Sequence, residues 1–141
     1  MKTRYGLQAL IFLARRSPEP ATSGVIAQGS EAPRKFLEAV LLELKLAGIL
    51  KSRMGRSGGY ELARAASKIT MADVLRALDG PLALAPCAAR KTPQTCPGCK
   101  DLRTCAIRPS LSEARVAVAD VLEHRSIAHL AKVPSPLEEF S

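Results

Sequence analysis

The sequence predicts a mainly α-helical fold with one small β-hairpin and a long helix near the C-terminus. Three observations carry that prediction. Apolar residues recur at helical spacing from the start of the chain to Ala47. A short strand, a glycine-rich turn and a returning strand follow directly. Four cysteines then gather in one polar stretch ahead of a last amphipathic run. They are Cys87, Cys96, Cys99 and Cys105, spaced C-x8-C-x2-C-x5-C and punctuated by Pro86, Pro93, Pro97 and Gly98.

Leu7, Leu10, Ile11 and Ala14 lie on one side of a helix over about residues 2–16. Ser17-Pro18-Glu19-Pro20 ends it. Thr22 or Ser23 can cap a short second helix over Gly24 to Gln28, with Val25 and Ile26 inward. Pro33 suits the first position of a third helix, where its missing N–H costs little. Leu37, Val40, Leu41 and Leu44 form the buried stripe of that helix, and Ala47-Gly48 closes it. Ile49 to Arg53 reads as a strand, Gly55, Ser57, Gly58 and Gly59 as a turn, and Tyr60-Glu61-Leu62 as the returning strand. Thr70 can cap a fourth helix over Met71 to Leu78, which Asp79-Gly80-Pro81 terminates. Pro109 opens a long helix over about residues 109–125, with Leu111, Val118, Val121 and Leu122 on one side. Ser126 caps a final turn or two containing Ile127 and Leu130, and the tail from Pro134 reads as frayed.

The 141 residues suit one domain with an appendage. The apolar stretch Leu7 to Ala14 is too short to cross a membrane, and nothing at the start resembles a secretion signal. The expectation is a cytoplasmic protein with reduced thiols, which favours metal binding or redox sensing over a structural disulfide. The net charge is +8. Residues 1–86 hold 13 Lys/Arg and 7 Asp/Glu, a net of +6, so most of the excess lies there. A basic domain points to a polyanion partner, most simply nucleic acid. A basic protein with no such partner is the plain alternative.

Two short helices joined by a tight turn, the second followed by a hairpin, describe a winged helix-turn-helix. With Leu37, Val40, Leu41 and Leu44 inward, Lys35, Glu38 and Ala39 face out, where a major groove can meet them. Arg34 stands at the flank, near a helix N-terminus that suits a phosphate or a base edge. Arg53 and Arg56 sit beside small glycines on the wing, able to approach a backbone or enter a narrow minor groove. Singly, these could be solvated charges on an ordinary helix and hairpin. Their order along a basic chain is what favours DNA. The division that follows is a winged-helix domain over 1–81, a cysteine loop over 82–108, a long helix and short terminal helix over 109–131, and a flexible tail over 132–141. The first domain reads as complete by about residue 80, so the stripe on the long helix is expected to face a second subunit.

The run Tyr5, Ala9-Leu10 and Leu13-Ala14, then Ile26-Ala27, Phe36-Leu37-Glu38, Leu44, Ala47-Gly48-Ile49-Leu50 and Ser57-Gly58-Gly59-Tyr60-Glu61-Leu62-Ala63-Arg64 resembles the Rrf-type family of bacterial winged-helix transcription regulators. Ile69-Thr70 through Leu82 and a cysteine cluster before a long helix fit as well, so the resemblance spans about residues 3–131. It implies a homodimer joined through the long C-terminal helix. It also implies a double-stranded, partly palindromic operator, and a role as a repressor with no enzymatic activity. With this resemblance, the expected DNA-contacting set is Arg34, Lys35, Phe36 and Glu38 with Arg53, Arg56, Ser57, Gly58 and Tyr60. One departure falls on the wing. Relatives often carry Arg just before its first glycine, where this chain has Met54, so Arg56 or Arg53 would substitute.

Thiolates bind zinc or iron–sulfur clusters, commonly through four ligands. Cys87, Cys96, Cys99 and Cys105 could complete either set. Structural zinc usually shows two close C-x2-4-C pairs, whereas only Cys96 and Cys99 are so spaced here. Cluster-binding relatives supply three cysteines from this loop, the last two separated by five residues, as are Cys99 and Cys105. Either Cys87 or Cys96 matches the first. Relatives draw a fourth ligand from a His three residues after the last Cys or from an Asp early in the first helix. These places hold Arg108 and Arg4, so the extra cysteine is the candidate fourth ligand of a 2Fe-2S or 4Fe-4S cluster. His124 and His129 read as surface or interface residues. Three readings stay open: a regulator controlled by a cluster or by redox state, the same regulator with structural zinc or a thiol-only sensor, and a small thiol-exchange or electron-transfer protein. No nucleophile motif and no phosphate-binding loop followed by a helix is present.

Overall fold

The computed structural model describes residues 2–91 and 93–133. Six helices and one hairpin make the fold: α1 (Lys2–Arg16), α2 (Ser23–Ser30), α3 (Arg34–Leu46), β1 (Leu50–Arg53), β2 (Gly59–Leu62), α4 (Met71–Asp79), α5 (Arg108–Glu123) and α6 (Ile127–Lys132). This is the mainly helical winged-helix architecture expected from the periodicities. The tail from Pro134 lies outside the described residues.

Local chemistry sets most boundaries. The Thr22 hydroxyl accepts from the Val25 N–H at 3.3 Å, and α2 runs two residues beyond its expected end, to Ser30. Pro33 is the N-cap of α3 rather than its first helical residue, because its ψ of 123° is extended. Thr70 and Asp73 form a reciprocal capping box at α4, each side chain bonding the other's backbone N–H. Ser126 caps α6 by accepting from the His129 N–H at 3.0 Å. α5 begins at Arg108, one residue before the expected Pro109.

The core gathers Leu10 and Leu13 of α1, Ile26 of α2, Leu37, Val40, Leu41 and Leu44 of α3, Leu50, Ile69 and Val74. Burying each such side chain is worth about 1.5–3 kcal/mol. Pairing in the hairpin is antiparallel, with Leu50 opposite Leu62 and Arg53 opposite Gly59. The hairpin joins the helices through Ala21 and Tyr60, which exchange two backbone hydrogen bonds at 3.0 and 2.8 Å.

The C-terminal end differs from the expected division. Ile127 is 0 % exposed and belongs to the same core as α1 and α3. The Ile127 N–H donates to the Ile69 carbonyl at 2.8 Å, and the Met71 N–H to the Arg125 carbonyl at 2.8 Å. Arg15 of α1 donates to the Ala131 and Val133 carbonyls at 3.1 and 3.0 Å, satisfying the end of α6. The short terminal helix is therefore packed into the winged-helix domain, and Lys132 belongs to it rather than to the tail. On α5, Ala119 is the only buried residue, whereas Val118 and Val121 are about half exposed.

Candidate nucleic-acid interface and cysteine loop

The buried stripe of α3 turns Lys35, Glu38 and Ala39 to the outer face, as its spacing predicts. Arg34 and Glu38, one turn apart, form an ion pair at 3.3 Å. Glu38 also accepts from the Ser23 hydroxyl at 3.2 Å, and the Arg34 guanidinium lies over Gly24. One carboxylate thus links the starts of α2 and α3. It bridges the two helices at their surface and holds Arg34 beside Gly24. Phe36 sits differently from its neighbours. Its ring packs edge-on against Tyr5 of α1, with centroids 5.5 Å apart. Phe36 therefore seats α3 on α1.

On the wing, Glu61 is largely shielded and is flanked by Lys51 at 3.5 Å and Arg53 at 3.3 Å. Arg53 is thus held along the strand by a partner on the facing strand. Arg56 and Lys35 are exposed and make no ion pair among the described residues. Met54, standing where relatives often carry Arg, is 92 % exposed at the turn. Tyr60 is half-buried against the core, so its ring supports the wing from below.

Arg53, Arg56, Ser57 and Gly58 line one wall of an open cleft of about 620 Å³, whose other wall is the α1–α2 connection with Thr22 and Val25. Arg16 lines the same cleft. Its Nε is buried without a hydrogen bond, and its guanidinium stands 5.8 Å from the Phe12 ring centre. Sequence reasoning gave Arg16 no role. Its only signal was a basic last turn on α1, while its place beside the wing depends on the turn between helices. Arg16 also pairs with Glu19 at 3.8 Å, so the three arginines that line the cleft outnumber its one carboxylate, next to the N-terminus of α2, as a phosphate site requires.

The cysteine loop lies against the start of α5. Cys87 is buried, while Cys96, Cys99 and Cys105 are half-buried. A hydrogen bond with Cys96 and then burial push the Cys87 thiol up, and the nearby charges of Cys96 and Cys105 add to this. Arg108 opposes it. Arg108 Nε donates to the Cys87 carbonyl at 2.9 Å, tying the loop to the first turn of α5. Cys96 to Cys99 form a tight turn, closed by the Cys99 N–H on the Cys96 carbonyl at 2.9 Å, with Gly98 at a φ of +81°. The Cys99 thiol donates to the Asp101 carbonyl at 3.5 Å. Asp101 caps the next turn by accepting from the Arg103 N–H at 2.9 Å, and this bonding to Arg103 holds its carboxyl below the usual range.

Cys96 and Cys105 are therefore each within electrostatic reach of Cys87, and Cys99 is turned toward Asp101. Among the described residues, no three thiols, imidazoles or carboxylates are grouped so as to hold a metal ion. The donor chemistry fits a thiophilic centre, and closing the set requires the loop to turn Cys99 toward the others. Arg4, His124 and His129 are all exposed. No described helix is long and apolar enough to cross a membrane.

Comparison with known proteins agrees with this architecture. The family described as Rrf2, iron-dependent transcriptional regulator, matches residues 1–133. A helix-turn-helix protein of Rhodobacter capsulatus named rrf2-like is 41% identical over 116 residues, covering 79% of this chain and 77% of that one. The structure of CymR, the global cysteine regulator of B. subtilis, superposes with a TM-score of 0.76 at 29% identity, covering 96% of both chains. T. potens IscR shares the fold, with a TM-score of 0.73 at 23% identity over 99% of this chain and 93% of that one. With a winged helix, a cysteine loop and relatives that are regulators rather than enzymes, the chain belongs to the Rrf2 family of transcriptional regulators.

Proposed function

We propose that the protein is a cytoplasmic, homodimeric repressor whose hold on a double-stranded operator is set by the state of its cysteine loop. The observation that carries this reading is the bond from Arg108 to the Cys87 carbonyl, which joins the loop to α5. A second tie, Arg76 to Glu123 at 2.6 Å, joins α4 of the reading head to the far end of the same helix. A change in the loop therefore reaches the angle between the head and α5 through bonded contacts. That angle fixes how far apart two heads of a dimer stand.

The contacts divide by chemistry. Lys35 and Arg34 meet base edges or phosphates from α3, with Glu38 holding Arg34 in place. Arg53, Arg56, Ser57 and Gly58 meet the backbone from the wing, joined by Arg16. The dimer seam is the stripe of Ile107, Leu111, Ala114, Val118 and Val121, spaced alternately four and three residues apart as in a two-helix seam. Ile107, Val118 and Val121 are 66%, 45% and 51% exposed in the single chain, and a partner would cover them.

Cys87, Cys96, Cys99 and Cys105 would hold an iron–sulfur cluster, which when bound fastens distant loop positions to one point. Zinc on the same thiols would fasten them equally. A thiol-only sensor is the second reading, favoured by the influence of the Cys96 thiol on that of Cys87. An oxidant taking two electrons and two protons from that pair would leave a disulfide.

Anaerobically prepared protein should be analysed for iron, sulfide and zinc, and its duplex selected from a random-sequence library. The expectation is a coloured, iron- and sulfide-containing dimer that selects a partly palindromic site. Cys99→Ser should bleach it and change affinity for that site by about tenfold or more. Affinity unchanged by cluster loss and by thiol oxidation would end the switch reading, and failure to select any site would end the DNA reading.

A further inference from the structure

A second cavity, of about 360 Å³, lies between α4, the segment after Cys87, and α5. Its walls bring four cations together: Arg76 from α4, Arg90 and Lys91 from the loop, and Arg115 from α5. Leu82 and Ala119 give it an apolar side. It is separate from the cysteines along α5, because Arg115 stands seven residues beyond Arg108, about 10 Å at the rise of a helix. It is also on a different flank from the proposed dimer seam, since Arg115 and Ala119 face inward toward α4.

Four cations stand against two carboxylates around this cavity. Glu123 pairs with Arg76 at 2.6 Å, and the charge of Arg90 reaches the same carboxylate. Asp120 and Glu123 line an adjoining hollow that shares Arg76, Arg90 and Arg115 with this cavity, and Asp120 also stands 3.7 Å from His124. Arg90, Lys91 and Arg115 make no ion pair among the described residues. The Nε of Arg115 is buried and makes no hydrogen bond. A buried donor left without a partner is costly, and an anion drawn to the same guanidinium offsets that cost through its charge. Guanidinium groups match carboxylates as planar, two-toothed partners. The apolar wall adds a preference for an anion with a short hydrocarbon body, and the volume suits a small metabolite.

We infer that the cavity framed by Arg76, Arg90, Lys91 and Arg115 is a binding site for a small organic carboxylate. Among the described residues, no cysteine lines the site. Its occupant would touch the reading head, the loop and α5 at once.

The test is calorimetric titration of the full-length protein with succinate, citrate and inorganic phosphate at constant ionic strength. Saturable binding of succinate or citrate is expected, tighter than that of phosphate. Arg115→Met keeps the apolar stem and removes the unpaired donor, so it should leave thermal stability unchanged or raised while weakening carboxylate binding about tenfold or more. Arg90→Ala, on the exposed loop, should weaken it without touching the core. No saturable binding of either carboxylate up to about 10 mM would overturn the inference. So would binding that survives both substitutions, and phosphate bound as tightly as the carboxylates would overturn the preference for an organic anion.

Discussion

A methyl group placed on Gly59 would stand 2.4 Å from the Ala21 carbonyl, at a residue whose φ is already +138°. Both the space and the backbone angle exclude a side chain, so Gly59→Ala is expected to destabilise the fold by more than about 2 kcal/mol in urea denaturation. A loss within experimental error would mean that the wing does not rest on Ala21. Glu123 offers a prediction with a sign. Its hydrogen bond with Arg76 holds its carboxyl below the usual range. The stability from that pair is whole at neutral pH and fades as acid protonates the folded carboxyl. Glu123→Gln should therefore melt below the parent at neutral pH, and the gap should close in acid; a gap independent of pH would assign it to packing. Arg56 differs because it has no ion-pair partner to lose among the described residues. Arg56→Ala should leave the melting temperature unchanged, weaken binding to all duplexes alike and reduce the salt slope by about one. The reading of Arg56 was available in the sequence, since an arginine among glycines on a turn has few partners. Arg16 was not, because its importance lies in which loop it meets.

Among the elements, α3 was the most legible. Leu37, Val40, Leu41 and Leu44 repeat at helical spacing, and all four are buried as that spacing requires. α6 was the least legible, because six residues following a cap carry too little periodicity to say which core they join. Its seat is specified by Ile127 meeting Ile69 and by Arg15 reaching the final carbonyls. Those pairings are far apart in sequence and leave no pattern in either segment. Ile127→Ala is expected to cost about 2–5 kcal/mol and to loosen α1, as hydrogen exchange at the amides of α1 would report. α5 presents the opposite case, an apolar stripe that the single chain leaves open. Val118→Glu and Val121→Glu should shift the protein toward monomer in sedimentation equilibrium while its helical circular dichroism persists. A dimer that tolerates both would place the seam elsewhere. The cysteine loop was legible in composition and not in geometry. The spacing shows four donors on one segment, while the turn that points Cys99 at Asp101 depends on backbone bonds no spacing records.

Across the whole molecule, the charge asymmetry seen in the sequence becomes a distribution in space. Arg16, Arg53 and Arg56 collect at the cleft by the wing, and Arg76, Arg90, Lys91 and Arg115 at the cavity behind α4. Two basic groupings thus stand apart, one drawn from the winged helix and one mostly from the loop and α5. The docking of α6 has a further consequence, for the order in which the chain becomes itself. A ribosome makes the reading head first and the cysteine loop and α5 after it. The head's core is finished only when Ile127 arrives to fill it. Until then the nascent head is a partly open structure, and its strongest closing contacts are the most distant in sequence. A chain interrupted within the loop, or halted before α6, would be left without a finished head. The winged-helix core and the cysteine loop are thereby completed in the same folding step.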